Sequence, residues 1–208
     1  CEKMSSIEEE NEDKEKSDEY FMKAANYYRI AANKNHLDSM FRYAQMIEDG
    51  KLQDEPISKA NKLYRKAAEK GHPGSIYKVA RMIENSGDNN SRTTMSQATE
   101  LYKKAAFLNY PDAMFRYAQI LERICMIKAD RQKAVELYQK AAMMNHADSM
   151  FRYAQLLEEG FYVLANKTLA FDFYRKAADC EVLKYVKHFA QLVRSGTLGM
   201  IDTEMAEK

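Results

Sequence analysis

DSMFRYAQ occupies residues 38–45 and recurs, letter for letter, at residues 148–155. Near-copies stand at 74–81 (GSIYKVAR), 112–119 (DAMFRYAQ) and 184–191 (KYVKHFAQ). A second string alternates with it: AANYYRIAA from Ala24, ANKLYRKAA from Ala60, ATELYKKAA from Ala98, AVELYQKAA from Ala134 and AFDFYRKAA from Ala170. Its tyrosines, Tyr28, Tyr64, Tyr102, Tyr138 and Tyr174, are separated by 36, 38, 36 and 36 residues. The alanines of the first string, Ala44, Ala80, Ala118, Ala154 and Ala190, keep the same spacing. Two independent columns in step mark an array of repeats, and that decides the fold before any single residue does. The two extra residues fall in the polar stretch SGDNNSRT, where a loop tolerates insertion.

Both strings read as helices. Met40, Tyr43, Ala44 and Ile47 lie at i, i+3, i+4 and i+7, as do Ala60, Leu63, Tyr64, Ala67 and Ala68 with one further position. Asn35, Gly71, Asn109 and Asn145 follow the second helix at one aligned position. These residues tolerate the left-handed conformation that closes a helix. The fifth unit places Cys180 near that position, so a different turn is expected there. A single helix pair cannot bury its own apolar face, but stacked neighbours can. The small alanines let backbones approach, while tyrosines and methionines fill the wider gaps.

Composition agrees. The chain has 208 residues, 46% hydrophobic and 30% charged, with only 7 Gly and 3 Pro. That suits an all-α protein with a sizeable core. The net charge of +1 imposes no field toward nucleic acid. No apolar run approaches the ~20 residues of a membrane span. Cys1, Cys125 and Cys180 are odd in number and scattered, which favours a reducing, cytoplasmic setting. A first residue of Cys rather than Met suggests a fragment. A bacterial lipoprotein also begins with Cys, but no Gly/Ser-rich tether follows.

The alternating strings resemble the Sel-one-like repeat, a relative of the tetratricopeptide repeat with a slightly longer period. The in-register A-x-x-x-Y-x-K-A-A string carries most of the resemblance, which covers residues 20–208. Tyr43-Ala44 stands where that family has Leu-Gly, and a second loop glycine is missing from GKLQDE and GFYVLAN. The resemblance implies a right-handed αα superhelix of antiparallel helix pairs. We expect residues 1–19, with nine acids against three bases, to form an acidic linker or a fraying helical extension. A leading half-repeat then covers 20–35, four full repeats cover 36–180, and a partial repeat covers 181–208. A half-repeat cut at 197–208 would expose a stacking face, through which two copies could form an artefactual dimer.

Candidate sites follow the columns. His36, His72 and His146 share one slot, but successive slots lie roughly 15–20 Å apart, too far for one metal ion. Arg42, Lys78, Arg116, Arg152 and His188 form a basic column. Asp38, Asp112 and Asp148 stand four residues before three of these arginines, the order that pairs charges on one helix surface. The remaining columns are Phe41, Tyr77, Phe115 and Phe151; Gln45, Arg81, Gln119, Gln155 and Gln191; and Glu48, Glu84, Glu122 and Glu158. The resemblance places them on a concave face, where an aromatic and an amide at helical spacing suit an extended peptide. The alternative is that the aromatics wedge between helices and the glutamines are solvated. Lys187 breaks the aromatic column, and Tyr185 replaces the small Ser39, Ala113 and Ser149.

No Gly-rich phosphate loop, GxSxG or HExxH is present, so no enzyme, cofactor or metal is expected. The expected function is a protein-interaction scaffold or adaptor. A regulatory or structural spacer attached to a catalytic domain, and a single-stranded nucleic-acid binder using the basic column, are the alternatives.

Overall fold

A computed structural model describes residues 2–52, 54–86, 92–124 and 128–196. Among them are ten helices and no strand: α1 (Glu2–Asn33), α2 (Leu37–Glu48), α3 (Ile57–Glu69), α4 (Pro73–Glu84), α5 (Arg92–Phe107), α6 (Pro111–Ile124), α7 (Lys128–Met143), α8 (Ala147–Glu159), α9 (Lys167–Ala178) and α10 (Leu183–Ser195). Helix α1 carries the backbone through the acidic stretch as far back as Glu2. Cys1, Cys125, most of the SGDNNSRT insertion and the trailing half-repeat at 197–208 lie outside the described residues.

The chain divides into two compact segments, Cys1–Val79 and Ala80–Lys208. In the first, α1 packs on α2 and α2 on α3. Ala32, Met40 and Ala67 form a core there, with Leu37 and Leu63 against it. In the second, each helix from α5 to α10 packs on the next. Tyr102, Tyr138 and Tyr174 are fully buried beside Ala98, Ala118, Ala134, Ala154 and Ala170. The close helix approach that alanine permits leaves one wide gap per repeat, and the tyrosine ring fills it. At the two ends of these columns, Tyr28 and Ala190 are exposed.

Helix ends obey one rule. Asn35, Gly71, Asn109 and Asn145 all take positive φ. The amides after them bond back to Ala31, Ala67, Ala105 and Ala141 at 3.0–3.2 Å, closing the helices in Schellman fashion. Contrary to the sequence expectation, the fifth turn keeps this conformation: Glu181 sits at φ 59, and Cys180 lies just before it, exposed and unpaired.

The three aligned histidines begin helices. Nδ1 of His36, His72 and His146 accepts the backbone N–H of Ser39, Ser75 and Ser149 at 3.3, 3.1 and 3.2 Å. An imidazole thus serves as the N-terminal cap that Ser or Asp more often provides. Among the described residues, no group of three or more His, Cys, Asp or Glu is arranged to hold a metal ion.

Candidate functional site

Each buried tyrosine of the second string brings a hydroxyl that needs an acceptor. The glutamate closing the preceding first-string helix supplies it. Tyr64 donates to Glu48 at 2.8 Å, Tyr102 to Glu84 at 2.6 Å, Tyr138 to Glu122 at 3.0 Å and Tyr174 to Glu158 at 2.8 Å. Burial first, and then the adjacent carboxylate, pushes Tyr102, Tyr138 and Tyr174 far above the ordinary phenol range. A cation from the next first-string helix closes on three of these carboxylates. Lys78 meets Glu48 at 2.5 Å, Arg116 meets Glu84, and Arg152 meets Glu122.

This ladder corrects the charge pairing expected from the sequence. Lys78, Arg116 and Arg152 pair across the stack, with glutamates 30 or 32 positions away. The aspartates also reach across: Asp38 to His72 at 3.1 Å, Asp112 to His146 at 3.7 Å, and Asp148 to Lys184 at 2.8 Å and to the Tyr185 hydroxyl. Own-helix spacing gave the simpler assignment. The Glu and basic columns standing 30 residues apart, or 32 across the two-residue insertion, were the signal that points to the true one.

The amide column lies beside the ladder. Arg42, Arg116 and Arg152 donate to the side-chain oxygens of Gln45, Gln119 and Gln155 at 3.2, 2.8 and 3.2 Å. Each bond fixes the amide and leaves its NH2 group out of that contact. The aromatic column wedges toward the next repeat. Phe41, only 7% exposed, sits 5.7 Å from Tyr64 and 4.8 Å from His72 between ring centroids. Phe115 contacts Tyr138 at 5.7 Å and His146 at 5.3 Å. Phe151 contacts Tyr174 at 5.3 Å, Tyr185 at 4.8 Å and His188 at 4.8 Å. Phe115 and Phe151 keep part of each ring at the surface.

The second segment gathers three of the expected site residues. Phe115, Phe151 and Gln155 line a 240 Å³ groove with Asp148, Arg152, Lys184 and Tyr185. Gln119 lies in a separate cleft of 380 Å³ with Glu84, Arg116, Ile120, Glu122 and Arg123. Phe41 and Gln45 belong to the first segment; Tyr77, half-buried, and Arg81, exposed, lie on α4; Gln191 is exposed on α10. Sequence reasoning missed Lys184 and Tyr185 as groove walls, although Tyr185 had stood out as a large residue in a small-residue column. It also missed a 320 Å³ cleft that includes Arg131, Tyr138, Phe161 and Tyr162. Its signal was Phe161 standing where the first full repeat has Lys51.

Among the described residues, a helical array with buried alanines, Schellman turns and a recurring polar ladder defines a helical-repeat solenoid. The chain belongs to the Sel1 repeat family, whose model matches residues 21–36, 37–72, 75–110, 111–146 and 147–181. Solved structures of similar fold include a Sel1 repeat protein from Oxalobacter formigenes, at TM-score 0.72 and 21% identity over 88% of this chain and 74% of that one. Another is a protective antigen of uropathogenic Escherichia coli displaying an SLR fold, at TM-score 0.66 and 24% identity over 83% of this chain. This chain spans only 36% of that antigen's length. A third is an immunity protein from Pseudomonas aeruginosa, at TM-score 0.54 and 22% identity over 74% of this chain and 55% of that one. No curated protein matches the sequence. Sel1 repeats generally serve as non-catalytic protein-interaction scaffolds. Among the described residues, no helix is long and apolar enough to cross a membrane.

Proposed function

We propose that this chain is a protein-interaction scaffold that holds an extended segment of a partner along the face formed by α6, α8 and α10. The observation that carries this reading is the groove of Phe115, Phe151, Gln155, Lys184 and Tyr185. Its aromatic floor supplies apolar area. Its rim carries an amide already oriented by Arg152. An extended backbone needs both: area for alternate side chains, and a fixed amide for its own N–H and C=O groups. Preorganised side chains lose little further entropy when a peptide docks.

The basic column favours a protein partner over nucleic acid. Lys78, Arg116 and Arg152 already answer carboxylates, so phosphates would have to displace those pairs.

The test is selection from a displayed random-peptide library on the whole chain. The selected peptides are then measured on a Phe115→Ala/Gln155→Ala variant whose folding is checked by circular dichroism. Loss of peptide binding with an intact helical signal supports the groove. Equal binding to the variant and the wild type sinks it.

A further inference from the structure

Three rungs of the ladder are complete and the fourth is not. Glu48, Glu84 and Glu122 each hold a tyrosine hydroxyl and a cation from the following first-string helix. Glu158 holds the Tyr174 hydroxyl at 2.8 Å, and among the described residues no cation pairs with it. The residue that should supply the cation is His188. Its ring is turned into the aromatic stack, 4.8 Å from Phe151 and 5.0 Å from Tyr174, and its buried Nε2 has no hydrogen-bond partner. The imidazole thus fills the space of the missing arginine without reaching the carboxylate.

From this vacant rung we infer that Glu158 receives a lysine or arginine side chain of the bound partner. The inference rests on the groove reading above and names the chemistry of what lies in that groove. The intramolecular precedents define it: the same column of carboxylates takes an ammonium at Glu48 and guanidinium groups at Glu84 and Glu122. Glu159 is the next residue; it is exposed and lines the 320 Å³ cleft with Arg131 and Arg152, whose charge it faces. Gln155 stands three and four residues before Glu158 and Glu159, on the same face of α8. A segment lying along Phe115, Phe151 and Gln155 therefore reaches the end of α8 within a few residues. Arg194 stands on α10 at the position equivalent to Glu158; it is exposed and takes neither carboxylate. A divalent metal fits poorly, because no third ligand of the required kind is arranged there among the described residues.

The experiment uses the displayed random-peptide library on the whole chain, followed by affinity measurement of the selected peptides on three proteins: wild type, Glu158→Gln and His188→Arg. His188→Arg gives the ladder its own fourth cation, so it should melt no lower than wild type while excluding the partner's. Glu158→Gln is isosteric and carries the test should His188→Arg fail to fold. The expected result is enrichment of peptides with a Lys or Arg at one fixed position, binding each variant roughly tenfold or more weakly. Peptides without such a residue, or with unchanged affinity for both variants, overturn the inference. If those peptides still lose binding on Phe115→Ala/Gln155→Ala, the groove reading stands alone. Enrichment of no peptide at all overturns both.

Discussion

The hydroxyl of Tyr138, on a ring only 1% exposed, donates to Glu122 across 3.0 Å and joins the two helices of one repeat, α7 to α6. Arg152 closes on the same carboxylate from α8. The pair therefore does two jobs: it satisfies a buried donor, and it fixes the charge pattern of the exposed face.

Removing the two partners should cost different amounts. Tyr138→Phe deletes one hydrogen bond and leaves Glu122, a third exposed, with Arg152 and water. The expected loss is about 1 kcal/mol. Glu122→Ala strands the buried hydroxyl and removes the anion facing Arg152, so about 2–3 kcal/mol is expected. Urea denaturation of the two variants checks the order. A larger loss for Tyr138→Phe would mean that packing by the hydroxyl, not its hydrogen bond, is what matters.

Ala154 is 0% exposed, with its equivalents Ala44, Ala80 and Ala118. Ala154→Leu has no cavity to enter and must push neighbouring side chains or backbone aside. A destabilisation of about 1–3 kcal/mol or more is expected, with the helical signal retained at low temperature. A variant as stable as the wild type would show that the alanine column reflects helix propensity rather than close approach.

The fold was legible because its determinants are local and repeated. Ala44 and Tyr64 recur at one period, and each recurrence reports the same stacking contact. The left-handed turns were legible at Asn35, Gly71, Asn109 and Asn145 because these residues announce the conformation. At Glu181 the backbone adopts it against residue preference, since the stack demands the same turn. The polar ladder was harder to read. Asp38 and Arg42 satisfy the own-helix rule, yet Asp38 meets His72 across the stack and Arg42 holds Gln45, while Lys78, Arg116 and Arg152 go to the glutamates that also serve buried tyrosines. Which side chains share the groove was set by Tyr185 and Lys184, which break their columns, and a break does not say which neighbour it will touch.

Glu181 provides a direct test of the turn argument. A non-Gly residue at φ 59 costs roughly 1 kcal/mol relative to glycine, partly offset by the greater freedom glycine gains when unfolded. Glu181→Gly is therefore expected to stabilise the chain by about 0.5–1 kcal/mol, read as a shift in the urea midpoint at unchanged slope. The same change at Lys176, in the last turn of α9, should destabilise by about 1 kcal/mol, because there glycine interrupts a helix. If both substitutions act in the same direction, the positive φ at Glu181 is not a source of strain.

His72 makes stability depend on pH. Burial holds its pKa below the ordinary 6.5, and the hydrogen bond its Nε2–H donates to the Asp38 carboxylate opposes this without overcoming it. The folded state therefore prefers the neutral ring, whose Nδ1 accepts the Ser75 amide at 3.1 Å. Between the lowered folded value and 6.5 the unfolded chain binds more protons than the folded one. The contribution of His72 is thus complete above 6.5 and is lost as pH falls through that value toward the folded one. Urea midpoints of the wild type should fall as pH drops from neutral into this window. His72→Asn keeps a capping oxygen but cannot titrate, so its midpoint should decline less steeply over the same range. An identical pH slope in the variant would assign the dependence to other groups and remove His72 as its cause.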